Sequence, residues 1–278
     1  MGFAPSLTLP SLRGREYSRR RADMMTGSAL SFRTLIMGFH LTIGNKNYSS
    51  WSMRPWFAMT VAGIPFEETV ISLNAPDFKE RLSKISGTGK VPTLVDGNVR
   101  VWETLAILEY LAETVPSAKL WPADRAARAH ARAISNEMHA GFLPLRRQCP
   151  MNMWRPVKKM ELSAETAANV RRIDAMWSDC RARFGAGGAF LFGAFTAADA
   201  MYAPVVSRFN TYAVEVGAAS RAYMDAMMAL PAWKEWHAAA LREEWILPED
   251  EPDWPTVLRV DEAPSLNSPP PAPGRRYP

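Results

Sequence analysis

From residue 39 to residue 113 short strand-like runs alternate with helical ones, and beyond Pro116 the strand-like runs stop. That single change of pattern constrains the fold more than any other feature: a small mixed sheet with helices on it comes first, and an all-helical part second. Residues 39–43 alternate apolar and polar side chains and stop at Gly44-Asn45, as a strand does. Residues 53–61 read as a helix ended by Gly63 and Pro65. A second strand is expected over 66–73, where Thr69, Val70 and Ile71 are β-branched, and a short helix over 78–85. Residues 91–95 and 99–101 flank Asp96-Gly97-Asn98 as the arms of a hairpin, and 104–113 predicts a helix with Leu105, Leu108 and Leu111 on one face. Helices are then expected over 123–142, 163–184, 197–209 and 231–243. The second of these sets Val170, Ile173, Trp177, Cys180 and Phe184 at alternating spacings of three and four.

With 278 residues, 47% apolar and 22% charged, the chain is an ordinary globular one, which excludes collagen-like, wholly disordered and disulfide-scaffold classes. The expected division is a basic extension over 1–38, a sheet-containing domain over 39–114, an all-helical domain over 115–260 and a Pro-rich disordered tail over 261–278. Two cysteines, Cys149 and Cys180, make no framework and suit a reducing, cytoplasmic setting. No run approaches the ~20 apolar residues that span a bilayer. Net charge is +5, but Arg13, Arg15, Arg19, Arg20, Arg21 and Arg33 face only Glu16 and Asp23 in the first 38 residues. The basicity thus belongs to the extension, which reads as a transit peptide or as an unfolded leader, and no nucleic-acid partner is expected.

Four local features can carry chemistry. Tyr48-Ser49-Ser50-Trp51-Ser52 places hydroxyls where a helix begins, so they either cap it or meet an anion at its free N–H groups. Lys90-Val91-Pro92-Thr93 holds Val91 extended before proline, able to offer its N–H and C=O to an extended ligand. Trp102-Glu103-Thr104 opens a helix with an acid and a hydroxyl, which suit a cap or an amino-acid zwitterion. Thr196-Ala197-Ala198-Asp199 reads as a structural capping box. Gly185-Ala186-Gly187-Gly188 follows a helix rather than a strand and reads as a loop. His40, His130, His139 and His237 show no metal-ligand spacing, so no metal is expected.

Taken in order, these segments resemble the glutathione transferase family from about residue 39 to residue 247. The residues that carry the resemblance are Lys90-Val91-Pro92-Thr93-Leu94, Glu103-Thr104 running into Ala106-Ile107-Leu108-Glu109-Tyr110-Leu111, and Thr196-x-x-Asp199. The resemblance implies an α/β plus all-α protein: a thioredoxin-like N-terminal domain followed by an all-helical C-terminal domain. Residues 48–54 look most like the zeta class, whose motif reads Ser-Ser-Cys-x-Trp-Arg, with Trp51 in the cysteine's place and Met53 in the tryptophan's.

Glutathione is the implied co-substrate. Val91 would pair with its cysteinyl backbone, Glu103 and Thr104 would hold the γ-glutamyl end, and Lys90 would meet the glycyl carboxylate or stand in solvent. Pro92 would be cis. Ser50, four residues before Arg54, would hydrogen-bond the thiolate, Ser49 would assist, and Tyr48 is the rival. The implied activity is an S-transferase reaction on an apolar electrophile, or a glutathione-assisted isomerisation, in a homodimer without a membrane partner. The second substrate's walls are expected from Trp51, Met138, His139, Phe142 and Arg146. Two alternatives stand beside this: a non-catalytic binding or regulatory protein of the same fold, and a thiol reductase, which needs a cysteine where Trp51 stands.

Overall fold

The computed structural model describes residues 38–251. The expectations for the basic extension before residue 38, for residues 252–260 and for the Pro-rich tail lie outside the described residues. The first part of the chain forms β1 (Phe39–Ile43), α1 (Ser50–Val61), β2 (Phe66–Val70), α2 (Phe78–Ser83), β3 (Thr93–Asp96), β4 (Val99–Trp102) and α3 (Thr104–Thr114). The four strands form one sheet in the order β2-β1-β3-β4, with β2 parallel to β1 and the other two pairs antiparallel. Strand β1 lies in the middle and is covered on both faces. Its polar Thr42 is therefore as buried as Leu41 and Ile43.

The second part is helical: α4 (Arg125–Ala140), α5 (Leu143–Gln148), α6 (Ala164–Phe184), α7 (Ala197–Thr211), α8 (Ala218–Ala229) and α9 (Pro231–Ala240). The capping box at α7 is present. Asp199 accepts from the N–H of Thr196 at 2.7 Å, from its hydroxyl at 3.0 Å and from the N–H of Leu191 at 3.0 Å. Asp124 and Ser163 cap α4 and α6 through their side chains.

Helix α1 joins the two parts. It packs on β1 and α3, and also on α7 and α9, so Met53, Trp56, Phe57 and Met59 are all buried. One core runs from Phe39 and Leu41 through α1 to Tyr202, Val206 and Trp236. Helix α7 is buried almost all round, which places Arg208 inside the protein. The start of α1, the loop before β3 and the start of α3 thereby come to one edge of the sheet.

Candidate functional site

Lys90, Val91, Pro92, Glu103 and Thr104 line one cleft of about 180 Å³, with Thr88 and Trp51 completing it. The bond between Val91 and Pro92 is cis. The loop is pinned at the Lys90 carbonyl, which accepts from Ser86 Oγ at 3.0 Å and Thr93 Oγ1 at 3.2 Å. The N–H and C=O of Val91 have no hydrogen-bond partner among the described residues, so both remain open to an extended ligand.

Glu103 sits between β4 and α3 at φ 69°, a left-handed backbone that costs a non-glycine residue ~1–3 kcal/mol. Its carboxylate stands 3.7 Å from His139 Nε2 on α4 and is half exposed. The expected side-chain cap of α3 is absent, and the reason lies in α1. Pro55 has no N–H, which leaves the carbonyl of Trp51 without its helical donor. Thr104 Oγ1 supplies one at 2.9 Å. With the Thr104 hydroxyl committed, what the start of α3 offers an anion is its first N–H groups.

A second cleft of about 390 Å³ shares Trp51, Lys90 and Val91 with the first. It separates the three hydroxyls of the first loop. Tyr48 donates to Glu251 Oε1 at 2.5 Å and packs edge-on against Trp154. Ser49 donates to Ser52 Oγ at 2.7 Å, and that oxygen also accepts from the N–H of Gly44 at 3.0 Å, so Ser49 makes no cap. The Ser50 hydroxyl has no partner among the described residues and faces the cleft. Neither cysteine can act as a thiolate near neutral pH. Both are buried, which pushes Cys149 up to about 11 and Cys180 up to about 12.

The rest of this cleft is apolar and charged. Leu73, Phe78 and Met151 line it with Arg146, Arg208 and one acid, Asp250, whose charge acts on Arg208. The Trp51 ring meets two guanidinium groups, its centroid 4.3 Å from that of Arg54 and 4.6 Å from that of Arg146. Arg54 is buried and donates to the carbonyls of Met201 at 2.8 Å and Ser50 at 3.0 Å. Burial and its two arginine neighbours hold its pKa well below the usual value, and burial pushes Arg208 down to about 10. Arg208 and Arg146 spend their donors on carbonyl groups. Among the described residues none of the three arginines has a carboxylate within ion-pair distance. Arg208 feels the charge of Asp250 in the same cleft, whereas burial alone acts on Arg146, so the place left for an anion is beside Arg146.

Of the expected walls, Trp51 and Arg146 line the cleft, while Met138 and Phe142 are core residues. His139 touches the site only through the edge of Trp51, at 5.3 Å, and through Glu103. Arg208 was missed by sequence reasoning. The signal was there: a lone charge in the apolar run from Ala200 to Phe209.

Two family models match the chain: the glutathione S-transferase N-terminal domain over residues 48–114 and the glutathione S-transferase C-terminal domain over 163–239. Together they span just over half of the chain. The chain belongs to the glutathione S-transferase family. A probable maleylacetoacetate isomerase of Caenorhabditis elegans is 43% identical over 98 residues, 35% of this chain and 45% of that protein. A zeta-class glutathione S-transferase of Euphorbia esula is 31% identical over 105 residues, 37% of this chain and 47% of that protein. The matched stretch thus spans about half the length of these curated relatives, and the second bears the zeta-class name. A glutathione transferase homologue from Burkholderia, solved with bound glutathione, superposes with a TM-score of 0.56 at 22% identity. The match covers 73% of this chain and 98% of that one, and shows the shared fold.

Proposed function

We propose that the protein is a glutathione-dependent enzyme, a transferase or an isomerase, in which glutathione lies along Val91 with its thiol beside Ser50. The observation that carries this reading is the pairing of two open groups across adjoining clefts: the unpartnered main chain of Val91 and the unpartnered hydroxyl of Ser50. Glu103 is placed to take the ammonium of the γ-glutamyl end, and the first N–H groups of α3 its carboxylate. Lys90 borders both clefts and suits the glycyl carboxylate.

The chemistry asked of the site is modest. A thiol with pKa ~8.5 is about 3% ionised at pH 7, and lowering it by roughly two units takes ~2.7 kcal/mol. One hydrogen bond to a charged acceptor supplies ~1.5–3 kcal/mol, and the α1 terminus adds ~0.3–1. The second substrate is an electrophile with an apolar body, against Leu73, Phe78 and Met151, and an acidic group toward Arg146. A homodimer and a cytoplasmic setting go with this reading; among the described residues no helix is long and apolar enough to cross a membrane.

The test is a titration with glutathione followed by the thiolate absorbance of the complex. Ser50→Ala should keep glutathione affinity within about threefold and raise the thiol's titration by roughly one to two pH units, with turnover falling about 10- to 100-fold. Ser49→Ala should change it little. An unchanged titration in Ser50→Ala would remove the assigned role, and turnover absent even in the unaltered protein would favour a binding role.

A further inference from the structure

Because the Ser50 hydroxyl has no partner among the described residues, only the main chain that carries it sets its direction. That main chain is one tight turn. The carbonyl of Asn45 accepts from the N–H of Ser49 at 2.8 Å, and the N–H of Ser50 donates to the carbonyl of Tyr48 at 2.8 Å. The N–H groups of Lys46 and Asn47 find no acceptor within the turn. Glu243, just beyond α9, takes both: Oε1 accepts from Lys46 at 2.6 Å and Oε2 from Asn47 at 2.9 Å.

The exchange is mutual. Asn47, fully buried, accepts with Oδ1 from the N–H of Met153 at 2.6 Å and of Trp154 at 3.1 Å, in the stretch between α5 and α6. That stretch also carries Met151, which lines the second cleft together with Ser50. The charged groups that face Glu243 are Lys46 and Glu68, and Lys46 Nζ turns to Glu68 at 2.8 Å. The hydrogen bonds of Glu243 therefore go to main-chain N–H groups. Neither Asn47 nor Glu243 lines either cleft.

We infer that Asn47 and Glu243 are positioning residues for Ser50: by exchanging main-chain hydrogen bonds they lock the β1–α1 loop onto the helical part and fix where the hydroxyl points. The inference rests on the reading that Ser50 meets the glutathione thiol. In an oriented site a small displacement of one donor is enough to lose its effect on the reacting atom.

Glutathione is the probe. In Glu243→Gln, which keeps size and one acceptor, and in Glu243→Ala, affinity for glutathione should stay within about threefold of the unaltered protein. The bound thiol should titrate about one pH unit higher, a tenfold loss of thiolate, with the larger shift in Glu243→Ala. Hydrogen exchange of the Lys46 and Asn47 amides should quicken in both. A thiol titration that stays put in both variants overturns the proposal, whether or not stability or amide protection falls, since a merely structural tie gives that result. If the unaltered protein leaves the thiol titrating as in free glutathione, the reading of the site fails and the proposal with it. That failure is visible before any variant is compared.

Discussion

At position 51 an indole ring lies 4.3 Å from the guanidinium group of Arg54 and 4.6 Å from that of Arg146. It brings two cations to the edge of the cleft that Ser50 faces. These cations are not spent on carboxylates among the described residues. Among the described residues the buried Arg146 Nε has no hydrogen-bond partner. An acidic substrate would supply what the protein withholds, since a hydrogen bond to a charged group is worth ~1.5–3 kcal/mol and a tenfold rate change ~1.4. Arg146→Met is thus expected to lower kcat/KM for a carboxylate-bearing electrophile about 10- to 100-fold, while a neutral electrophile of the same size loses no more than about twofold. Steady-state kinetics on such a matched pair decide it: an equal loss on both would mean that Arg146 supports the wall rather than the anion.

At the scale of elements, the helix starts of α1 and α3 are tied together by the chemistry of one proline. Pro55 orphans the part-buried Trp51 carbonyl, and Thr104 reaches across from α3 to satisfy it. Thr104→Val keeps the shape and removes the donor, which should cost ~1–3 kcal/mol of unfolding free energy, the usual penalty for a buried acceptor left unpaired. Thr104→Ser should stay near the starting stability. Denaturant midpoints measure both, and a stable Thr104→Val would show that water reaches the carbonyl. This tie was not legible in the sequence. Glu103-Thr104 read as a cap or a zwitterion clamp because a carbonyl 53 residues away cannot be seen from local pattern. The elements themselves were legible where burial imposes a period: β1, the β3–β4 hairpin, α3 and α6 lie within a residue or two of their expected ends. Helix α1 begins at Ser50 rather than Met53, because hydroxyl-rich Ser50-Trp51-Ser52 looks like a loop until Thr104 and Gly44 are seen to satisfy it. Helices α5 and α8 were missed. The first is short and opens on Leu143-Pro144, while α8 buries Ser220, Tyr223, Met224 and Met227 behind exposed alanines that blur the stripe.

At the scale of the whole molecule, the parts that bring the open main chain of Val91 and the second cleft together share one core, and the buried acids within it carry a cost of burial. Glu243 accepts two N–H groups and faces Lys46, both of which favour its ionised form, yet burial outweighs them and pushes its pKa up to about 7 from 4.5. Burial likewise pushes Asp199 up to about 6 from 3.8, against the donors of Leu191, Thr196 and Tyr223. A carboxyl whose pKa is higher in the folded state binds its proton more tightly there. Its contribution to stability is therefore full below the unfolded pKa and is lost as pH rises through the folded one. For Glu243 that window runs from about pH 4.5 to about pH 7, opposite in sign to Glu215, whose carboxyl the Lys159 ammonium holds below the usual value. The neutral amide in Glu243→Gln cannot titrate and lacks this component. Its stability relative to the unaltered protein should therefore improve as pH is raised from about 5 to about 8, even if it starts lower for want of one acceptor. Urea midpoints at several pH values read the difference directly. Parallel curves would mean that the two N–H bonds and Lys46 win over burial after all, and that the lock on the Ser50 loop is carried by an ordinary carboxylate.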